Sequence, residues 1–459
     1  MPDPPMLVEA RARLISLLKA RENREDRYAA LLSRCQTSVA HRLTFDLHSM
    51  LADWEMKTGK RVRRRLSRRG VVYVDAIERF VGDLLCARAD NNASGRIYRS
   101  LGKSAFEDAS VNYDVFMGVL DGLKALELVG HEKGQTRYRK TGFWPGHSVT
   151  LPGRASRFWA TAKLIDFVEP YGIRVDNISD HFKPEPPNNP LVLRDYGRGK
   201  GVNRERGPII KNYERTEHTK QLAADVRELN EFLEGCEITG GEHHGYTRNF
   251  NNASWNKGGR LYSIGGGYQQ LSEEKRLQMT INGEPVAEID IKASYLTIYH
   301  ARLRVPLEKH VDPYERAGVE RSIAKIWMVE SFGKSKPETR WPPETIKNYK
   351  KETGKDLREV TKAKDVAQKM LSAFPALHKL EDHSDIWADL QFIEAEAVIN
   401  TMLILKRTHS IPSLSMHDGL ILPRSKAELA KTVLAKEYRK FVGVEPMLTV
   451  EMADIDTDL

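Results

Sequence analysis

Two aspartates far apart in the chain sit where carboxylates could do phosphoryl chemistry. The first is Asp290, in the stretch from Val286 to His300. Ala287, Ile289 and Ile291 alternate with Glu288 and Asp290, which is a strand pattern. Tyr295, Ile298 and Tyr299 then recur at helical spacing. Asp290 therefore ends a buried strand just before a helix. A carboxylate there needs a cation or hydrogen bonds to compensate its burial, or it caps the helix that follows. The second is Asp418, in Ser415-Met-His-Asp-Gly419, between apolar residues. An Asp-Gly pair so flanked predicts a tight hairpin and could be nothing more than its turn. A strand Asp and a hairpin Asp held close could instead clamp two divalent cations, as an in-line phosphoryl transfer requires. Arg321 and Lys325 are one helical turn apart, and two cations on one face suit a triphosphate or a solvated basic face.

Four blocks in order resemble the palm and fingers of a family A DNA polymerase, the DNA polymerase I type. They are Asn256-Lys-Gly-Gly-Arg-Leu-Tyr-Ser263 with Tyr268-Gln-Gln270, Asp290 to Tyr295, Arg321 to Lys325 with Phe332-Gly333, and Ser415 to Gly419. Phe374-Pro375, Gln391 and Ala395-Glu396 fall between the last two, and the resemblance spans roughly residues 250–425. It implies an α+β fold, a right-hand palm and fingers of antiparallel sheet plus helices. It implies Asp290 and Asp418 as catalytic and metal-holding residues, with the Ile291 carbonyl helping to hold two Mg²⁺ ions, for which Mn²⁺ substitutes. Arg321, Lys325, Tyr295 and Phe332 would bind the nucleotide. Arg260, Gln391 and His417 would lie along the DNA primer-template. The implied reaction is addition of deoxynucleoside triphosphates to a primer, with Tyr295, at a position where family A carries a bulky Glu and family B a Tyr, filling the space of a ribose 2′-hydroxyl. The chain departs from the family at Gly419, where DNA members carry Glu after His-Asp. It departs again at Gly333, eight residues after Lys325, where the family has its aromatic. Asp53-Trp-Glu55 is the only early candidate for a proofreading motif. It lies in a helical stretch, so no proofreading is expected.

These residues need elements to hold them. The chain has 459 residues, 29% charged and 40% hydrophobic, an ordinary composition that predicts two or three domains. Its net charge of +9 favours a polyanionic partner. No apolar run is long enough for a membrane span, and no signal peptide is read at the N-terminus. Cys35, Cys86 and Cys236 are scattered and read as reduced thiols of a cytoplasmic protein.

Residues 1–180 are expected to be a basic, mainly helical, winged-helix-like DNA-binding region. Residues 6–60 read as amphipathic helix. Arg63, Arg64 and Arg65 belong to a run of six arginines within residues 61–69, either a phosphate clamp or a solvated face. Val71–Leu85 and Asn112–Leu128 read as helices, and 129–140 as a hairpin with a glycine tip. In a winged helix-turn-helix the second helix would enter the major groove, and Arg137 and Arg139 on the wing would touch phosphates. A protein-interaction module is the alternative. A helix is expected around Arg157 to Tyr171. Four prolines in His181–Pro190 and the glycines after them predict a basic linker over 181–215. Residues 216–459 would be palm and fingers, with a helix at 216–235 as a possible short thumb. His243–Asn252 reads as a strand-contacting mix of aromatic, basic and amide residues. A charged insertion at 334–366 has no assigned role. The whole suits a plasmid or phage-like replicon. An RNA polymerase or primase on the same scaffold, or a non-catalytic replication initiator, are the alternatives.

Overall fold

A computed structural model describes residues 26–453, apart from 66, 91–93, 108, 136–138, 142–147, 151–153, 198–206, 266, 309–311 and 383. The chain is mixed α+β and divides into two units, Met1–Pro187 and Asn188–Leu459. Each has a hydrophobic core of its own.

The first unit begins with β1 (Arg27–Tyr28) and β2 (Ser33–Cys35), where helix was expected. The reason is tertiary. Asp83 accepts the Leu31 amide at 2.7 Å and the Ser33 hydroxyl at 2.7 Å, and Glu78 accepts the Cys35 amide at 2.6 Å. Both acids stand on α2 (Ser67–Ala89), so a helix satisfies the strand's backbone. Helix α1 (Ser38–Lys57) starts where Thr37 accepts the Ala40 amide. Then follow β3 (Ile97–Arg99), a single turn at Lys103–Phe106 and α3 (Tyr113–Ala125), the last capped by Asn112. Phe80, Phe116 and Phe158 meet edge-on at the centre, with centroids 4.9–6.3 Å apart.

The expected hairpin at 129–140 is replaced by a longer one. β4 (Val129–Glu132) pairs with β7 (Ser156–Ala160), and β5 (Arg139–Thr141) pairs with β6 (Ser148–Thr150). Gly134 is not its tip. A Cβ there would lie 2.7 Å from the Ser156 amide nitrogen, so the glycine permits close approach of two strands. Residues 156–160 are strand rather than helix. Thr161 caps the short α4 (Ala162–Val168) that follows. The main sheet has the order β1-β3-β7-β4, and β2 pairs with β8 (Phe182–Pro184).

The stretch read as a linker over 181–215 thus carries β8 in the first unit. It carries β9 (Leu191–Leu193) in the second. In the second unit, α5 (Glu217–Glu234) follows a Thr216 cap and buries Leu222, Val226, Leu229 and Leu233, as its periodicity predicts. β10 (Ile238–Thr239) pairs with β13 (Thr280–Ile281). β11 (Tyr246–Phe250) lies between β9 and β12 (Gly258–Ser263). Next come β14 (Glu284–Lys292) and the helices α6 (Ser294–Arg302), α7 (Arg321–Lys334), α8 (Pro343–Thr353) and α9 (Ala363–Ala373). The chain continues through α10 (Ile386–His409), the hairpin β15 (Leu414–Ser415) and β16 (Gly419–Pro423), α11 (Ala427–Val442) and β17 (Met447–Met452). β14 runs antiparallel to β16 on one side and to β17 on the other. The charged insertion supplies α8 and a turn of helix at Leu357–Val360.

Candidate active site

The strand-to-helix switch at Asp290 forms as the sequence predicts. Ala287, Ile289 and Ile291 are buried, and Ala293, with φ of 49°, turns the chain into α6. Position 293 carries the cap, without a side-chain bond, so Asp290 is not a helix cap. Asp290 lies opposite Gly419 in the β14–β16 register, and the Ile291 amide donates to the Asp418 carbonyl at 3.1 Å. Asp290 on β14 and Asp418 in the turn that leads into β16 are therefore neighbours.

The hairpin turns at His417-Asp418 rather than at Asp-Gly. The Met416 amide donates to the Gly419 carbonyl and the Gly419 amide to the Met416 carbonyl, at 2.9 and 3.0 Å. His417 takes the positive φ of 58°. Gly419 serves another purpose. A Cβ at 419 would lie 2.5 Å from Asp290 Oδ1 and would also press on the Ile289 carbonyl. No acid can stand there without displacing Asp290.

Burial, followed by Glu288, Asp418 and Glu451, pushes the Asp290 carboxyl up to about 7, against the pull of Arg276. Arg276 itself holds Glu288 through two bonds of 2.9 and 2.6 Å. This crowding is one that a cation would relieve. Burial and Arg260 lower the His417 pKa to about 4, so its ring is neutral near pH 7, and it packs against Tyr262. Among the described residues, His417 Nδ1 and Glu394 Oε2 are buried without a hydrogen-bond partner. Carboxylate oxygens beside a raised carboxyl are an environment that a divalent cation would stabilise.

Arg260 is not a surface arginine. It pairs with Glu394 of α10, the two side chains being 17% and 1% exposed. Its guanidinium stands 5.6 Å from the centre of the Tyr295 ring. Gln391 is buried one turn before Glu394. Arg321 and Lys325 share the exposed face of α7, as their spacing predicts. Arg321 donates to Asp312 at 2.8 Å and lies over Tyr314, while Lys325 has no ion-pair partner among the described residues.

Phe332 is a correction. It is 1% exposed, edge-on to Tyr295 and Tyr299, and belongs to the core, so it cannot stack on a base. Arg248 in the stretch 243–252 is likewise buried, against Glu396. In the first unit, Arg65 is a structural residue. It pairs with Glu55 and lies 3.4 Å over the Tyr73 ring. Arg64 meets Asp53 at 2.7 Å on the surface, and Arg63 is exposed with no ion pair among the described residues. Arg137 lies outside the described residues, and Arg139 is placed only as part of β5.

Sequence reasoning missed Glu394, Arg276 and Tyr314. One signal was available for Glu394, since it interrupts the buried stripe of Leu390, Ala397 and Thr401. An acid on an apolar stripe needs a partner.

No protein-family model matches the chain, and no curated protein matches it. Among solved structures it is similar to the POL domain of Pol1 from M. smegmatis in complex with DNA primer-template and dNTP. The identity is 14% and the TM-score 0.29, over 51% of this chain and 50% of that one. The chain thus spans about half the length of that structure. No helix among the described residues is long and apolar enough to cross a membrane.

Proposed function

We propose that the chain is a template-directed DNA polymerase that extends a primer from deoxynucleoside triphosphates. The observation that carries this reading is the pairing of Asp290 on β14 with the hairpin that carries Asp418, beside the buried Glu288 in a partly buried acidic cluster. The order of motifs that resembles family A polymerases supports it. In this reading Asp290 and Asp418 hold Mg²⁺, with the Ile291 carbonyl beside them. The bound ions supply charge stabilisation to the attacking and leaving oxygens. Arg321, on exchanging Asp312 for phosphate, and Lys325 grip the triphosphate. Tyr295, half-buried at the start of α6, fills the space that a 2′-hydroxyl needs. Neutral His417 and Arg260 face the primer end. Family A members place an aromatic eight residues past the fingers lysine. Here that place is Gly333, and Phe332 is core, so base stacking falls to another residue.

The first unit acts as a winged-helix-like DNA-binding part. Its order α2, β3, turn, α3, β4, β7, with strands arranged β3-β7-β4, supports that. The exposed face of α3 carries Asp114 and Asp121 beside Lys124, so phosphate contact falls to the arginine loop instead.

The test is extension of a labelled primer on a DNA template with Mg²⁺. Asp290→Ala and Asp418→Ala are each expected to remove nearly all extension while DNA binding persists, because both act in the transition state. Extension by either variant at close to the wild-type rate would overturn the assignment.

A further inference from the structure

Arg260 and Glu394 stand on different elements, β12 and α10, and meet inside the second unit. Arg260 directs both Nε, at 3.1 Å, and Nη2 to a single oxygen, Glu394 Oε1. Glu394 Oε2 has no hydrogen-bond partner of good geometry among the described residues, though the Ser294 side chain lies beside the carboxylate. Burial and Asp418 push the Glu394 carboxyl up, against the pull of Arg260. Its burial makes Arg260 its necessary counter-charge, since an unpaired carboxylate there would be strongly destabilising. The same bond fixes where Arg260 points. Its guanidinium carbon lies 5.6 Å from the centre of the Tyr295 ring, and the Phe332 ring stands perpendicular to it with the two ring centres 6.1 Å apart. Tyr295 thus neighbours both a core phenylalanine and an arginine whose orientation Glu394 fixes. The hairpin cannot supply this acid, because Gly419 has no room for a side chain.

We propose that Glu394 is a positioning residue that sets the sugar choice of the nucleotide site by locking Arg260 against Tyr295. The proposal rests on the polymerase reading. A 2′-hydroxyl is rejected only if Tyr295 stays in place, and a misplacement of about 1 Å at a reacting centre changes rates on the order of a hundredfold. Glu394→Gln keeps the size of the side chain and removes its charge. Arg260→Lys keeps the buried charge pair and removes the planar fork.

The experiment compares the full chain with E394Q, E394A, R260K, R260A and the E394A/R260A double variant. It measures single-nucleotide insertion of dATP against ATP, and equilibrium binding of both to a complex whose primer ends in a dideoxynucleotide. Thermal melting reports folding. E394Q is expected to lower the dATP-to-ATP preference about tenfold or more, read as a ratio of kcat/KM, and to melt at a lower temperature but still cooperatively, since it leaves Arg260 without its counter-charge. The double variant should lose no more than R260A alone. If E394Q does not fold, R260K carries the test with the same expected loss. Wild-type preference in folded E394Q or R260K, or additive losses in the double variant, would overturn the proposal while leaving an active wild type as a polymerase. A wild type that binds dATP in preference to ATP but never extends would sink the polymerase reading alone, provided E394Q loses that preference. A wild type that neither extends nor discriminates sinks both.

Discussion

Asp290 carries the largest electrostatic load of any predicted site residue. Its carboxyl is held near 7 in the folded chain, whereas an exposed aspartate releases its proton near 4. The folded state therefore binds more protons between those values. In metal-free buffer this group's contribution to stability is fully present below about pH 4 and is lost as pH rises through about 7. The loss is at most on the order of 4 kcal/mol, since one pKa unit corresponds to about 1.4 kcal/mol. Thermal melts of the metal-free protein should fall between pH 5 and 7.5, and Mg²⁺ should restore them at pH 7.5. Asp290→Asn should flatten both effects. An equal Mg²⁺ increment in that variant would place the ion elsewhere. This residue was legible in the sequence because alternation and a hairpin are local signals. Glu394 was not, because its meaning depends on Arg260, a pairing made by two elements far apart in the chain.

At the scale of elements, the arginine run divides by where each side chain goes. Arg65 folds back onto α1 and neutralises Glu55, both side chains being 8% exposed. Arg65→Ala leaves the buried Glu55 with only the longer 3.6 Å pair to Arg61 and should destabilise the first unit in urea unfolding, by less than the about 3–5 kcal/mol of a fully unpaired buried charge. Arg63→Ala should leave stability within about 0.5 kcal/mol. It should instead reduce the slope of log affinity for duplex DNA against log salt by about 0.9. An unchanged salt slope for Arg63→Ala would remove the loop from the DNA contact. Helix periodicity made α2, α3 and α5 readable within a few residues. The strands at 27–35 were unreadable, because Asp83 and Glu78 on a later helix hold them. The same holds for β7, whose partners β3 and β4 lie elsewhere in the chain and outweigh a local helical pattern.

The molecule as a whole has two cores, one confined to residues 29–182 and the other to 191–438. Each is large enough to fold alone. A fragment of residues 188–459 should be soluble, melt cooperatively and extend primers at low salt, with a weaker salt dependence than the full chain. A fragment without cooperative melting would show that the units depend on one another. The strand order around Asp290 has one more consequence, and it concerns protein synthesis. β14 is flanked by β16 and by β17, the last strand described. A ribosome delivers β14 long before either neighbour, so the growing chain carries its first aspartate with no sheet around it. The first unit can fold while translation continues. β14 is not flanked on both sides until Met452 has emerged, so translation that stops before Met447 leaves one side of the strand with Asp290 bare.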